Sequence, residues 1–441
     1  MIRLHKRTLY ETLGRDPVHP FPARMAPGIA LEIMSTVKGS LRVLDPMMGS
    51  GTVLAVARRH GHKAVGLDID PLAFLISKVW TTAIDPVTVR NKAHGVLARA
   101  EEIFGILPQR EAYPRNADQE TRRFVAYWFD GYARRQLASL ALAIHSVRNE
   151  ATRNALWCGF SRLIITKQSG ASLAMDLSHS RPHRSFQHAP AKPFRKFLSA
   201  IDRVIDNCIG RNSRGRGPAP RIYLGDARSL PLDDASTDLV LTSPPYLNAI
   251  DYIRCSKFSL VWMGHSIAEL RRLRRESVGA EAARGAPIED QEIRSIMVDL
   301  KLRPKLGTRD EEVLKRYIED MRSSIAEVAR VLRPNGKAVY VVGENTVRRT
   351  YIRNSLIVSA VAQLSGLTLR ERRVRTLAAD RRYLPPPSKG KGAGALDARM
   401  RREVILTFTK SEVGHRQQRG GEAVAGESAR KREGEPSDWN P

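Results

Sequence analysis

The sequence predicts an α/β fold built around one seven-stranded sheet. Short apolar runs of strand character alternate with helical spacing in residues 41–80, and the same alternation returns in residues 221–410. A glycine-rich turn follows the first apolar run, and a carboxylate ends the second. Together these features are typical of a βαβ unit with a ligand site at one edge of its sheet.

The first strand and its turn define the first part of this unit. Leu41–Leu44 is an apolar run, and it is followed by the stretch Asp45-Pro46-Met47-Met48-Gly49-Ser50-Gly51-Thr52. Residues 53–59 then have the spacing of a helix. Gly49 and Gly51 allow the turn to bring backbone N–H groups close to a ligand.

The second strand, Lys63–Asp68, ends in the carboxylate. We assign to Asp68, rather than to Asp70, the role of accepting both hydroxyls of a ribose, because Asp68 stands at the strand end. A nicotinamide cofactor is disfavoured. The third position after Gly51 is Leu54, where a dinucleotide-binding turn has another glycine.

A mostly helical insertion is expected at residues 81–219. Helical spacing is clearest in Val96–Ile106, Leu137–Val147 and Phe194–Ile209. The aromatic stretch 124–129 and the basic stretch 178–184 make the insertion a candidate target-recognition region. A core aromatic cluster and a solvated loop are the alternative interpretations of these two stretches.

The remaining strands are expected in the last half of the chain. They are Arg221–Ala227, Thr237–Leu241, Lys337–Gly343, Leu367–Leu377 and Val404–Thr409, with the last two antiparallel to each other. A long amphipathic helix over Glu311–Leu332 precedes the fifth strand. Residues 411–441 lose apolar periodicity and are expected to form a disordered tail.

The fourth strand runs into the most informative stretch, Thr242-Ser243-Pro244-Pro245-Tyr246. Prolines carry no N–H, so the backbone presents carbonyl acceptors in a rigid, extended shape. Ser243 adds a hydroxyl acceptor, and Tyr246 adds a flat stacking surface. This set is suited to a planar group that carries an exocyclic amine, such as a nucleobase.

The composition of the chain indicates which class of molecule the protein binds. The 441 residues carry a formal net charge of +27, which favours a polyanion such as nucleic acid over a basic solvated surface or an anionic membrane. No apolar run is long enough to span a bilayer, and the N-terminus lacks the apolar core of a signal peptide. The three widely spaced cysteines fit a reducing cytoplasm and indicate neither a disulfide framework nor a zinc module.

Several of these motifs resemble one enzyme family. The stretch Thr242–Tyr246 resembles the Ser/Asp/Asn-Pro-Pro-Tyr/Phe motif of the amino-methyltransferases, which methylate exocyclic nitrogens of DNA bases with S-adenosylmethionine. Asp45–Thr52 resembles the cofactor loop of the same family, although Met47 replaces its frequent Phe. The segment His19–Gly28 is similar to one that precedes the cofactor site in a cytosine-N4 branch, from which Phe21, Arg24 and Met25 depart.

The resemblance implies a fold, a division of the chain and a set of site residues. It implies a Rossmann-like class I methyltransferase sheet, with residues 15–80 as the cofactor-binding half and 220–410 as the catalytic half. The cofactor residues would be Asp45, Pro46, Gly49, Gly51, Thr52, Asp68 and Asp226, with Asp226 accepting from the adenine amine. The catalytic residues would be Ser243, Pro244, Pro245 and Tyr246, and no metal is required.

The expected activity is methylation of the N4 amine of cytosine in double-stranded DNA after the base is flipped out of the helix. Ser243 favours cytosine, because Asp or Asn is usual at this position in the adenine-N6 enzymes. No cysteine follows a proline, so the covalent Pro-Cys route to carbon 5 of cytosine is disfavoured. Adenine-N6 methylation, RNA methylation and an inactive nucleic-acid-binding protein remain alternatives, and a restriction endonuclease is a candidate partner.

Overall fold

A computed structural model describes most of the chain. The described residues are 7–21, 24–35, 37, 39–166, 169–175, 177, 182–210, 217–247, 251–280, 290–300, 307–347, 350–376 and 402–411. Three predicted features fall outside them. These are residues 178–181 of the basic stretch, the proline-rich stretch 385–392, where the sequence predicts a loop between the sixth and seventh strands, and the expected tail beyond residue 411.

The sheet has seven strands, as the sequence predicts. In chain order they are β1 (Arg42–Asp45), β2 (Lys63–Asp68), β3 (Arg221–Leu224), β4 (Thr237–Thr242), β5 (Leu332–Gly343), β6 (Leu367–Thr376) and β7 (Arg402–Lys410). Their spatial order is β6-β7-β5-β4-β1-β2-β3. All neighbours pair in parallel except β7, which is antiparallel to both β5 and β6. The predicted α/β class is confirmed.

The helices lie between these strands. They are α1 (Leu9–Leu13), α2 (Pro27–Ser35), α3 (Thr52–Arg59), α4 (Pro71–Thr81), α5 (Pro86–Ile106), α6 (Gln119–Trp128), α7 (Gly131–His145), α8 (Glu150–Ile164), α9 (Pro193–Asn207), α10 (Tyr252–Leu260), α11 (Ile267–Glu276), α12 (Gln291–Asp299), α13 (Thr308–Val331) and α14 (Asn354–Leu364). None of those in the described ranges is both long and apolar enough to cross a membrane.

Alternating side chains of the sheet face two separate apolar cores. Val43 and Val339 point into a core that includes helices α2 to α4 and the helical insertion. Leu44 and Tyr340 point into a second core built with helices α12 to α14. Because the sheet is covered on both faces, its strands are nearly continuous apolar runs, which is why they stand out in the sequence.

The helical insertion, residues 81–219, packs against helix α10. The rings of Phe124 and Trp128 in α6 lie 5.2 and 5.0 Å from the ring of Phe258 in α10. The aromatic stretch therefore forms a packed cluster at the surface of α10, which follows the Pro-Pro-Tyr motif. Such edge-to-face pairs add to the stability that apolar burial provides.

The fifth strand begins earlier than the sequence predicts. Arg333–Gly336 contains proline and glycine, and this indicated a loop before a strand at Lys337. In the structure, β5 starts at Leu332, which is fully buried and pairs with Thr237. Asn335 has a φ of +61°, and the pairing with β4 shifts its register in this region. The long helix α13 therefore passes into the strand without a separate loop.

Candidate active site

The ends of strands β1 and β4 bring the two distant motifs together. Asp45 ends β1 and Thr242 ends β4, and these parallel strands are neighbours, with Leu44 opposite Val240. The Thr242 hydroxyl donates a 2.8 Å hydrogen bond to Asp45 Oδ1. The Pro-Pro-Tyr motif therefore starts beside the glycine turn, although 197 residues separate the two partners.

The conformation of the glycine turn leaves no space for a larger side chain at position 51. Gly51 has a φ of +83°, and a Cβ atom added there would lie 2.7 Å from Ser77 Oγ. Ser77 donates a 2.8 Å hydrogen bond to the carbonyl of Gly49, while the N–H of Gly49 donates to Asp68 Oδ2 at 2.8 Å. These contacts require glycine at position 51, and they fix the turn against the end of β2.

Three carboxyl groups surround this turn. Burial raises the pKa of Asp45 to about 7, that of Asp68 to about 6 and that of Asp70 to about 7. Their hydrogen bonds come from hydroxyls and backbone N–H groups, and no Lys or Arg within the described ranges forms an ion pair with them. Buried carboxylates without cations favour a ligand that brings positive charge.

The start of helix α3 offers further contacts. Thr52 is 3 % exposed, and its Oγ1 has no hydrogen-bond partner among the described residues. A buried hydroxyl without a partner is uncommon, and it marks a place where a ligand group or water fits. Pro46 is buried at the opening of the same turn. The structure therefore brings Asp45, Pro46, Gly49, Gly51, Thr52 and Asp68 into one region.

Asp226 follows β3 and lies near the end of β2, because the N–H of Gly225 donates to the carbonyl of Asp68 at 3.0 Å. Its carboxylate pairs with Arg228, whose Nε lies 3.0 Å from Asp226 Oδ1. Arg228 also pairs with Asp320 of α13 and donates to the carbonyl of Glu276. Arg228 belongs to no motif recognised in the sequence, yet it orients Asp226 through hydrogen bonds from its backbone N–H and its guanidinium to both carboxylate oxygens.

Ser243 has a defined orientation. Its hydroxyl donates to the carbonyl of Val341 in β5 at 3.0 Å, and the Tyr246 hydroxyl lies 3.2 Å from Ser243 Oγ. A serine hydroxyl has only one hydrogen. Since that hydrogen is directed at Val341, Tyr246 donates to Ser243, and Ser243 acts towards a further group as an acceptor.

Tyr317 of α13 contacts the proline pair of the motif. Its hydroxyl donates to the carbonyl of Pro245 at 3.3 Å, and its side chain is fully buried. Burial raises the pKa of Tyr317, so the hydroxyl stays protonated and able to donate. In the sequence, Tyr317 occupies an ordinary core position of an amphipathic helix, so its polar role could not be recognised.

Helix α10, which follows the Pro-Pro-Tyr motif, contacts the start of helix α4 and the segment before β1. The Ser256 hydroxyl donates to Asp70 Oδ2 at 2.9 Å, and the Tyr252 ring stacks on Phe21 with 5.7 Å between centroids. Asp70 also accepts from the N–H of Leu72 and so begins helix α4. The carboxylate of Asp70 is therefore engaged as a helix cap, while that of Asp68 accepts from the N–H groups of Gly49 and Asp70.

The segment before the first strand packs on the glycine turn. Arg24 Nε donates to Ser50 Oγ at 3.1 Å, and Arg24 also donates to the carbonyl of His19. His19 contacts Ser161 Oγ at 2.9 Å, and Ser161 in turn donates to Ser259. Burial lowers the pKa of His19 well below its ordinary value, so the ring is neutral. Its position indicates a structural role.

Neither metal ligation nor disulfide bonding is visible in the described ranges. They contain no group of three or more His, Cys, Asp or Glu side chains arranged to hold a metal ion. Cys158, Cys208 and Cys255 are free and buried, and burial raises the pKa of each thiol. A protonated, inaccessible thiol is a poor nucleophile.

Comparisons with known proteins identify distant relatives. The chain is 25% identical over 369 residues to the type II methyltransferase M.MvaI of Kocuria varians, covering 77% of this chain and 79% of that protein. It is also 25% identical over 375 residues to the type II methyltransferase M.AvaI of Anabaena variabilis, covering 74% and 73%. No protein-family model matches the chain.

Two solved structures extend the comparison. A TehB-like SAM-dependent methyltransferase from Corynebacterium glutamicum has a TM-score of 0.28 and 11% identity, with 87% of this chain and 86% of that chain covered. A SAM-dependent methyltransferase from Methanosarcina mazei has a TM-score of 0.32 and 8% identity, with 86% and 97% covered. At TM-scores below 0.5, neither likeness supports a conclusion about function.

Proposed function

We propose that this protein is an S-adenosylmethionine-dependent DNA methyltransferase that transfers a methyl group to the N4 amine of cytosine. The hydrogen bond between Thr242 and Asp45 is the observation that carries the proposal, because it joins the Pro-Pro-Tyr motif to the glycine turn. The similarity to two type II methyltransferases over about three quarters of the chain supports the same activity class. The net charge of +27 supports a nucleic-acid substrate.

The residues around the glycine turn fit the proposed cofactor. S-Adenosylmethionine supplies a methyl group on a positively charged sulfur, and it also carries an ammonium group. The buried carboxylates of Asp45 and Asp68 lack cationic partners within the described ranges, and the Thr52 hydroxyl there has no hydrogen-bond partner. Asp45 would face the methionine part, Asp68 the ribose and Asp226 the adenine amine.

Ser243 would activate the amine of the target base. The N4 lone pair of cytosine is delocalised into the ring, so the nitrogen is a weak nucleophile. A hydrogen bond from the amine to Ser243 Oγ would favour a more tetrahedral nitrogen, and acceptors fixed in advance stabilise such a state without reorganisation. The contacts of Ser243 with Val341 and Tyr246 supply that fixation.

The neighbouring residues would bind the flipped base. The carbonyls of Ser243 and Pro244 would accept the second amine hydrogen, while Tyr317 holds the carbonyl of Pro245. The Tyr246 ring would stack on the base and replace part of the stacking lost on flipping, which is worth a few kcal/mol. No strong general base is needed, because the nitrogen becomes acidic once it is methylated.

The choice of cytosine rests on Ser243, which occupies the position where the resembling adenine enzymes have Asp or Asn. Adenine-N6 methylation is the nearest alternative, followed by methylation of RNA. A role in a restriction-modification system, with a cognate endonuclease in the cytoplasm, would follow from the type II relatives.

A labelled-methyl assay tests this function. Purified protein is incubated with methyl-labelled S-adenosylmethionine and either DNA or RNA, and the products are digested to nucleosides and identified by mass spectrometry. We expect labelled N4-methylcytosine from DNA and no label in RNA. Label found only in N6-methyladenine would overturn the base assignment, and label found only in RNA would overturn the substrate class.

A further inference from the structure

A strip of basic side chains leads from helix α11 over α6 to the short strand His183–Arg184. We define this basic strip by Arg123, Arg184, Lys257, Arg272 and Arg275. We propose that it binds the phosphate backbone of double-stranded DNA beside the target base. This inference rests on the proposed function and deepens it by assigning the surface that holds the substrate.

Helix packing makes the strip continuous. The N–H of Ile267, at the start of α11, donates to Thr121 Oγ1 of α6 at 3.0 Å. Arg271 of α11 forms an ion pair with Glu120 of α6, so the two helices are also joined at the surface. These contacts place the exposed side of α11 next to the exposed side of α6.

Helical spacing extends the strip along α6. Arg123 stands three residues after Glu120 and four before Tyr127, and residues at these separations lie on one face of a helix. Arg184 lies with its guanidinium carbon 5.1 Å from the centre of the Tyr127 ring. The basic strip therefore passes from α11 through Arg123 to Arg184.

The positive charges of the strip are not neutralised within the described ranges. Arg123, Arg184, Arg272 and Arg275 are exposed, and none of them forms an ion pair with a carboxylate there. Lys257 lies 5.1 Å above the Phe124 ring, and its pKa is lowered by burial and then by the neighbouring Arg274. Like charges gathered without partners favour binding of an anion.

The strip ends beside the candidate active site. Arg274 of α11 pairs with Asp251, which begins helix α10 five residues after Tyr246. After α11 the chain returns to the motif, since a Cβ atom on Gly279 would lie 3.8 Å from the carbonyl oxygen of Tyr246. A duplex bound along the strip would therefore have its target base close to Ser243.

The chemistry of the strip indicates contact with phosphates rather than with bases. Its charged members are one lysine and three arginines on helices and one arginine on a short strand, and their long side chains can reach phosphate oxygens without entering a groove. Such contacts contribute sequence-independent affinity and release counterions, so the logarithm of the affinity falls linearly with the logarithm of the salt concentration. Stacking of Tyr127 under Arg184 holds the guanidinium in place for this contact.

The experiment measures how salt weakens DNA binding. Fluorescence anisotropy of a short labelled duplex is recorded over a range of salt concentrations for the full chain and for an Arg272→Ala/Arg275→Ala variant. The slope of log affinity against log salt is expected to fall by about 0.9 for each lost phosphate contact, or about 1.8 for the pair. The cofactor affinity of the variant, measured by calorimetry, should be unchanged.

The matched control is Arg195→Ala/Lys196→Ala. This exposed basic pair lies on α9, which packs mainly against α5, α7 and α8. It removes the same charge, so its slope should remain that of the unmodified protein. An equal fall in both variants, or no fall in the Arg272/Arg275 variant, would overturn the proposal.

An Arg123→Ala/Arg184→Ala variant tests the far end of the strip and should lower the slope in the same way.

Two further outcomes separate this inference from the proposed function. A lower slope with duplex RNA but not with DNA would contradict the assignment of DNA. The Arg272/Arg275 variant could show the lower slope although the unmodified protein transfers no methyl group. That result would support DNA binding by the basic strip and would refute the proposed activity.

Discussion

Ser243 is the residue on which the proposed chemistry depends most directly. Ser243→Ala removes the acceptor while leaving the strand and the prolines intact. We expect the rate of methyl transfer to fall by about 100-fold, the size seen when one preorganised hydrogen bond is removed from a transition state. Single-turnover measurements check the rate, and calorimetry should show that cofactor affinity is retained.

The control for this variant is Ser365→Ala, which removes a hydroxyl bonded to the carbonyl of Val361 at the end of α14. It should leave the rate unchanged. If Ser243→Ala transferred methyl groups at the same rate as the control variant, Ser243 would have no part in activating the amine.

Asp45 gives a pH-dependent prediction. Burial raises its pKa from 3.8 to about 7, so the unfolded chain ionises at lower pH than the native protein. The stability of the cofactor-free protein should therefore decrease from about pH 4 to pH 7 and stay lower above that range. Asp45→Asn removes the cost of burying the ionised carboxylate, and it should stabilise the protein at pH 8 by a few kcal/mol at most.

Urea unfolding at several pH values measures this difference, which should grow with pH. The same variant should bind S-adenosylmethionine more weakly at pH 8, because the carboxylate is lost. A variant that is less stable than the unmodified protein at pH 8 would show that Asp45 is not held as a costly buried charge.

Among the structural elements, the glycine turn can be tested with a matched pair of variants. Gly51 and Gly39 have nearly equal φ values, +83° and +87°, but only Gly51 has atoms in the space of a Cβ. Gly39→Ala should cost about 1 kcal/mol of unfolding free energy, through backbone strain alone. Gly51→Ala should cost more, because the new methyl group meets Ser77, and it should also weaken cofactor binding.

Thermal or urea unfolding gives the two stabilities, and calorimetry gives the two cofactor affinities. The comparison separates strain, which both variants share, from the close approach found only at Gly51. Equal affinities in the two variants would mean that the turn does not contact the cofactor.

Helix α13 contributes a positioning residue, Tyr317. Tyr317→Phe removes the hydrogen bond to the Pro245 carbonyl but keeps the buried ring. We expect a loss of about 1 kcal/mol in stability. The catalytic rate should fall several-fold while the KM for DNA stays unchanged. A purely structural role would leave the catalytic rate at its original value once the protein is folded.

Most elements could be predicted from the sequence, because buried parallel strands are nearly continuous apolar runs with glycine or proline at their ends. The residues at which helices and strands begin and end were less predictable. The Pro334–Gly336 stretch indicated a loop, yet pairing of Leu332 with Thr237 extends β5 to the end of α13. Local turn chemistry indicates that a chain can bend there, whereas strand pairing depends on residues about 95 positions away.

The candidate site was predictable where its residues form local motifs. Asp45, Gly49, Gly51 and Ser243 stand at strand ends, and their roles remain predictions. Residues that act through distant contacts gave no comparable signal. Tyr317, for example, occupies what the sequence shows as an ordinary core position, and only the fold brings it to the Pro-Pro-Tyr motif. Arg228 stands in what the sequence shows as a surface loop, and only the fold brings its guanidinium to Asp226.

At the scale of the whole molecule, the two halves of the chain share one sheet. Strands β1 and β2, from residues 42–68, lie between β4 and β3, from residues 221–242. The halves should therefore unfold together in a single calorimetric transition. Cofactor at 100 times its dissociation constant should stabilise that transition by about 2.7 kcal/mol.

Differential scanning calorimetry with and without S-adenosylmethionine checks this expectation. The cofactor should move the whole transition to higher temperature. Two separate transitions, of which the cofactor moves only one, would show that the halves are independent units and that Asp45 and Thr242 do not couple them.

The most direct measurement is a crystal structure of the protein with sinefungin, an analogue that carries an amine in place of the transferable methyl group. We predict that the analogue lies on Gly49–Gly51, with its ribose at Asp68 and its amine facing Ser243 and Tyr246. Binding of sinefungin elsewhere, or with its amine directed away from Ser243, would contradict the claim that the two motifs form one active site.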